Sequence, residues 1–355
     1  MNLGLGLYRD LLTEKNFRFA KQAGVTHLVV HLVDYFGGDD PSLSSGPSHS
    51  GWGTAPDQGE FWTYEELIEI KRGIEDHGLV WEAIENFNPA HWHDVLLDGP
   101  ERDRQIENLK QTIRNIGRAG IPILGYNFSL AGVWGWHKGP FARGGAMSVR
   151  YDESEIDMTQ PIPNGMVWNM VYDHDAVPGY VSPVSSSELW KRFERFLEEI
   201  IPVAERSGVT LALHPDDPPA TTRLRRTARL VNQPHKYQRV LDLMPSEANG
   251  LEFCLGTIQE MTEGNVYDAI RRYGEQDSIA YIHFRNVRGE VPCYEETFVD
   301  EGDIDMLRAL EALDSVNYNG ILIPDHTPEM SCGAPWHAGM AYALGYMRAA
   351  MQAVL

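Results

Sequence analysis

The sequence predicts an α/β chain folded as a single (β/α)8 TIM barrel, and three observations carry that expectation. Eight short apolar runs alternate with amphipathic stretches along 355 residues. The runs are rich in β-branched and apolar residues without clean polar alternation, as strands buried on both faces require. No Gly-rich phosphate turn follows the first run, which disfavours the runner-up, an open doubly wound sheet. The length suits one barrel domain over 1–355 with insertions.

The strands read in order as LGLGLY (3–8), THLVVHL (26–32), LVWEAIE (79–85), IPILGYNF (121–128), VTLALHP (209–215), LEFCLG (251–256), IAYIHFRNV (279–287) and GILIPDH (320–326). Helical patterns lie between them. TYEELIEIKRGIEDHG begins with a Thr cap, has Glu in its first turn and stops at Gly78. ERDRQIENLKQTIRNIGRAG and SELWKRFERFLEEIIPVAERSG are longer versions of the same pattern, GDIDMLRALEALDSVNYNG precedes the eighth strand, and HAGMAYALGYMRAAMQAVL closes the chain. Two connections exceed simple turns, 33–62 after strand two and 129–185 after strand four. Both leave the C-terminal ends of strands, where barrel active sites are built, so both are expected to be active-site insertions that act as lids.

Composition narrows the partners. A formal net charge of −21 argues against nucleic acid, whose binding is largely phosphate neutralisation by Lys and Arg. The basic cluster Arg223, Arg225, Arg226 and Arg229 reads as a solvated helix face. No run approaches the roughly 20 apolar residues needed to span a bilayer, and MNLGLGLYRD lacks the form of a signal peptide. Three cysteines, Cys254, Cys293 and Cys332, suggest no disulfide framework. A reducing cytoplasm, a small-molecule substrate and a homo-oligomer are the expectation, with no membrane partner.

His214, Cys254, His283 and Asp325 each sit at the downstream end of a run, in LALHP, LEFCLG, YIHFRN and ILIPDH, at spacings of 40, 29 and 42 residues. That is about one strand-helix unit each, so in a barrel the four side chains converge at one mouth. Two imidazoles, a thiolate and a carboxylate there make a divalent-metal site, and the thiolate suits Zn²⁺. Other polar strand ends surround them. Glu85 is a fifth ligand, a base, or a partner of a buried Arg. Asn127 is placed to hold a substrate hydroxyl, with Tyr126 and Asn286 beside it. Asp216 and Asp217, fixed by neighbouring prolines, orient an imidazole or meet substrate. Arg285 shares a strand face with His283, where a forked guanidinium suits a carboxylate substrate. His326 can act beside the metal as a general acid or base. His31 reads as a satisfied core histidine.

The segments IRNIGRAGIPILGYNF, LALHPDDPP, EFCLGT, IHFRNV, EGDIDM and IPDH occur in that order. Together they resemble the D-mannonate dehydratase family of the hexuronate pathway, hydro-lyases on xylose-isomerase-like barrels. The resemblance runs from about Glu85 to Asp325. It implies Mn²⁺ at His214, Cys254, His283 and Asp325, with Fe²⁺ or Co²⁺ as substitutes, a catalytic His at His326 and a further family His at His93. The implied activity is loss of water from a mannonate-like sugar acid to a 2-keto-3-deoxy acid. Two stretches depart from the family. Its tyrosine before the last helix is replaced by GAPWHAGM, with Trp336 and His337 nearby, and the first strand offers Tyr8 and Arg9 in place of an Arg-Trp pair. Tyr8 or His337 would have to supply the missing group, and D-mannonate itself is expected to be a poor substrate. A sugar isomerase or epimerase on the same barrel is the alternative, though such sites favour paired Glu bases over a thiolate. A non-catalytic sugar-acid binder is a third reading, and a phosphodiesterase is disfavoured by the acidic charge.

Overall fold

A computed structural model describes residues 1–33, 35, 55 and 59–355. Most of the expected 33–62 insertion therefore lies outside the described residues. The strands in chain order are β1 (Asn2–Tyr8), β2 (His27–His31), β3 (Val80–Glu85), β4 (Ile123–Tyr126), β5 (Trp136–Ala142), β6 (Ala146–Asp152), β7 (Met166–Val167), β8 (Met170–Val171), β9 (Thr210–Leu213), β10 (Asn249–Cys254), β11 (Ile279–His283), β12 (Val287–Glu290), β13 (Cys293–Glu296) and β14 (Ile321–Ile323). Eight of them close an all-parallel barrel in the order β1-β14-β11-β10-β9-β4-β3-β2. All eight predicted strands are present, each paired with the strand before and after it in the predicted series.

The helices form where the caps lie. The Thr63 hydroxyl accepts the Glu66 amide ahead of helix Tyr64–Glu75, and Ser185 does the same for Glu188 ahead of Ser186–Ser207. Gly208 ends the latter in a left-handed conformation, φ +64°. The side chains of the strands separate by parity. Outward residues such as Leu124, Phe253 and Ile282 join the large core beneath the helices. Inward residues Val29, Ala83, Ile123, Ala212, Tyr281, Ile321 and Ile323 form a small second core inside the barrel.

The 129–185 segment is built, not loose. β5 and β6 pair antiparallel and extend through β13 to β12, in the order β12-β13-β6-β5. The predicted seventh strand, 279–287, therefore divides: β11 stops at His283 and β12 starts at Val287 in this second sheet. The basic cluster is not a solvated helix face. Arg225 and Arg229 are buried. Arg225 lies over the Trp134 ring at 4.0 Å and donates to the Pro161 carbonyl at 2.8 Å. Arg229 donates to Ser129 Oγ at 2.6 Å and to the Gly132 and Pro218 carbonyls at 2.8 Å. These two arginines fasten the segment to the loop after β9.

Candidate active site

The inner parity of the barrel, continued to the C-terminal strand ends, builds the site. Gly6 leads to Tyr8, Val29 to His31, Ala83 to Glu85, Ala212 to His214, Glu252 to Cys254, Tyr281 to His283 and on to Arg285, and Ile323 to Asp325. All of these strand-end residues but Cys254 line one cavity, together with His326 and neighbours. Trp136 and Val133, from the segment before and into β5, and Trp168 complete its wall. Asp325 has φ +58°, left-handed backbone that a non-glycine residue rarely adopts. That turn breaks the alternation and lets both Asp325 and His326 face the cavity.

Three of the four expected ligands form one group: donor atoms of His214, Cys254 and His283 all lie within 4.8 Å of one another. Asp325 joins them through Oδ2, 3.3 Å from His283 Nδ1. The donors fit a cation. His214 Nδ1 donates to the Pro215 carbonyl at 2.6 Å, which leaves the Nε2 lone pair free to ligate. His283 Nδ1 is buried without a hydrogen-bond partner. Burial pushes the Cys254 thiol up, but Arg285, His214 and His283 outweigh it and hold its pKa at about 6, so the thiolate is available at neutral pH. On its other edge His283 Nε2 is 3.2 Å from both Glu85 Oε2 and Glu252 Oε1. Carboxylates behind a ligand imidazole fix its tautomer and raise its basicity. Glu85 is therefore placed as a partner of His283 and His31, and not of a buried arginine.

Glu252 went unnoticed in the sequence. It stands two residues before Cys254, on the same inward face, and that spacing was the available signal. Its carboxyl is pushed up to about 8, first by burial and then by the Glu85 charge. Gly125 makes room for it, since a Cβ there would meet the Glu252 carboxyl and the Tyr281 hydroxyl.

Arg285 does not offer a free fork to substrate. It is 2% exposed. Nη2 donates to Asp217 Oδ2 at 2.5 Å, Thr257 Oγ1 at 2.9 Å and Glu260 Oε1 at 3.0 Å. Nη1 donates to Glu296 Oε1 at 3.1 Å and lies 3.4 Å from Asp325 Oδ2. The guanidinium orders four carboxylates, so its expected role of gripping the substrate carboxylate is corrected to a structural one beside the cavity.

His326 keeps its expected place. Its Nδ1 donates to Glu296 Oε1 at 3.1 Å, and Nε2 is 3.6 Å from Asp325 Oδ1. The Trp136 ring meets it edge-on at 5.4 Å. Burial alone would lower its pKa, but Asp325 and Glu296 outweigh this and hold it at about 9. Asn127 also lines the cavity and donates to the Pro215 carbonyl at 3.4 Å.

Four expected substrate contacts lie elsewhere. Tyr126 has outward parity and packs near Phe87, Phe193 and Phe196. Asn286 also has outward parity, and its amide donates to the Val299 and Ile304 carbonyls. Asp216 accepts the Leu230 and Val231 amides, because the chain has left the strand at Leu213 and parity no longer holds. Asp217 lines the cavity in its place. His93 stacks on Tyr172 at 3.9 Å, outside the cavity lining. His337 lies 2.9 Å from Asn16 Oδ1 and stacks edge-on to Phe19, so of the two candidates for the missing tyrosine only Tyr8 reaches the cavity. His31 is the reverse correction: expected in the core, it lines the cavity.

The chain matches the family model described as D-mannonate dehydratase (UxuA) over residues 20–353. Mannonate dehydratase 2 of Halalkalibacterium halodurans is 31% identical over 278 residues, covering 76% of this chain and 79% of that protein. Mannonate dehydratase of Thermotoga maritima is 31% identical over 288 residues, covering 76% and 78%. The crystal structure of mannonate dehydratase from Streptococcus suis serotype 2 has a TM-score of 0.77 at 26% identity, covering 100% of this chain and 93% of that one. An L-ribulose 3-epimerase structure shares the fold, with a TM-score of 0.57 at 15% identity over 99% and 95% of the two chains.

Proposed function

This chain belongs to the D-mannonate dehydratase family of hydro-lyases, and from that premise we propose that it removes water from a mannonate-like aldonic acid to give the 2-keto-3-deoxy acid. The observation that carries the reading is the coincidence of the donor group His214, Cys254 and His283 with Asp325 and His326 at one barrel mouth. His214, Cys254, His283 and Asp325 would hold a divalent ion, Mn²⁺ by family and Zn²⁺, Fe²⁺ or Co²⁺ by donor chemistry. Bound there, it would supply Lewis-acid polarisation of the substrate's carboxylate and adjacent hydroxyl.

The chain's own residues do the rest. The proton beside a carboxylate is weakly acidic and hydroxide leaves poorly, so the reaction needs one group to take a proton and another to give one. His326, with Glu296 fixing Nδ1 and an imidazolium favoured by its two carboxylate neighbours, is placed to protonate the departing 3-hydroxyl. Asn127 is placed to hold a hydroxyl. Trp136, Val133 and Trp168, carried on the 129–185 segment, exclude water and make that segment the lid of the site. Among the described residues no helix is long and apolar enough to cross a membrane. A reducing cytoplasm suits the free thiol of Cys254. Exposed Val177 and Tyr180 on the same segment support contact between copies of the chain.

His326→Asn should keep the fold and metal content while kcat falls by about 10² or more, the usual size for a general acid-base group. Unchanged turnover would make His326 a bystander. The overall reading is tested by incubating the Mn²⁺-loaded protein with a panel of aldonic acids and assaying 2-keto-3-deoxy product; no product from any of them removes it. With no tyrosine near Pro335 and His337 turned away, D-mannonate itself should give kcat/KM below about 10⁴ M⁻¹s⁻¹, an ordinary enzyme efficiency. A higher value would show that the changed chain ends do not alter substrate preference.

A further inference from the structure

We propose that His31 is the proton acceptor of the site, taking the proton from the substrate carbon next to the carboxylate; the proposal rests on the dehydratase reading above. That reading places His326 as proton donor and leaves the acceptor unassigned. Glu85 is already shared by His283 and His31, and Asp217 is held by Arg285 and accepts the Tyr294 hydroxyl at 2.8 Å. His31 is a cavity-lining imidazole that among the described residues only Glu85 pairs with, and only through Nε2.

The geometry points to which nitrogen acts. His31 ends β2 with inward parity, in register with Tyr8 of β1. Its Nε2 is 3.5 Å from Glu85 Oε2. A carboxylate can only accept, so this neighbour favours the tautomer with hydrogen on Nε2 and leaves the lone pair on Nδ1. Nδ1 is buried and has no hydrogen-bond partner, although the residue is only 7% exposed. A buried polar atom of that kind calls for a partner, and that partner is assigned to substrate entering the cavity that His31 lines. The ring is held between Tyr8 at 4.6 Å and Tyr35 at 5.7 Å. Burial lowers the imidazole's pKa against the pull of Glu85, which keeps it neutral and able to accept. When it does accept, Glu85 faces the new positive charge, as the carboxylate behind a catalytic histidine does in general.

The step balances. The C2–H bond breaks and its proton passes to His31 Nδ1. The electron pair forms the C2–C3 double bond as the C3–O bond breaks. The oxygen leaves as water with a proton from His326. The enol then ketonises, releasing its hydroxyl proton and gaining one at C3, and solvent resets both imidazoles. The sum is aldonate to 2-keto-3-deoxy acid plus water.

The test uses His31→Gln and His31→Ala in the full-length, metal-loaded protein, with metal content and melting measured first. The expected result is a fall in kcat of about 10² or more with KM within about threefold of wild type. Free imidazole should partly restore His31→Ala, and the restored turnover should rise with the fraction of imidazole that is unprotonated. A purely structural role would give no rescue by imidazole, and that outcome overturns the proposal, as does kcat within about threefold of wild type. Absence of product with wild-type protein overturns the dehydratase reading itself. Active wild type with equally active His31 variants overturns only the role of His31.

Discussion

Cys254→Ala should purify folded but poor in metal, with at least about 10²-fold weaker affinity, since even outer partners of a metal site are worth 10- to 100-fold. The side chain is small and fully buried, and its sulfur accepts only the Thr257 amide at 3.4 Å among backbone donors, so the fold has little to lose. The site has more. Cys254 is the one soft, anionic donor between two imidazoles, and Arg285, His214 and His283 favour its thiolate. Elemental analysis of wild type and variant after identical loading decides the matter. Equal metal content would take Cys254 out of the site. A variant that loses metal but keeps the wild-type urea midpoint would separate the ligand role from packing.

The barrel was legible because buried parallel strands announce themselves as apolar runs, and eight of them at regular intervals leave few topologies. The grouping of the candidate donors was legible because each stands at a strand end and the spacing matches one strand-helix unit. Parity then separates what was read correctly from what was not. His283 and Arg285 were placed on one face by alternation, and the structure agrees. The same rule, applied to Tyr126 and Asn286, would have turned both away from the cavity, and applied to His31 it would have turned that residue in. Glu252 is in phase with Cys254 but was hidden by its apolar neighbours. Where the strand ends early, as at Leu213, parity gives no guidance, and of the two acids Asp217 lines the cavity while Asp216 holds backbone amides. His326 was out of phase, and only the left-handed turn at Asp325 brings it round.

The second sheet was not legible for a different reason. Cys293 pairs with Asp152, a contact between distant segments that no local pattern announces. Its strands carry Gly, Pro and charged residues, as in WHKGPFA and VRGE, so they read as loop. The arginines that fasten the segment looked like a charged surface for the same reason: burial of a guanidinium depends on carbonyls supplied from elsewhere in the chain.

Arg285→Ala should cost the most in stability, about 3–5 kcal/mol, the range for removing one partner of a buried ion pair. The guanidinium is the shared counter-ion of Asp217, Glu260, Glu296 and Asp325, all buried with it. Without it four carboxyl groups face one another away from water. The carboxyls of Asp217 and Asp325, which Arg285 helps hold low, then rise and bind protons, whereas burial already pushes Glu260 up beside it. A group shifted upward gives stability that is present below its unfolded value and lost as pH rises through the folded value. The deficit of the variant against wild type should therefore be largest near neutral pH and shrink as the pH falls toward about 5. Arg285→Lys should recover little, because a single ammonium cannot reach partners on both arms of the fork. Urea denaturation of the three proteins at several pH values measures this. A deficit below about 1 kcal/mol that does not change with pH would mean that these carboxyls do not depend on Arg285 for their charge. The prediction also reaches the chemistry. Glu296 takes Arg285 on one side and His326 on the other through the same oxygen, so losing the arginine should misplace the imidazole even in the fraction that stays folded.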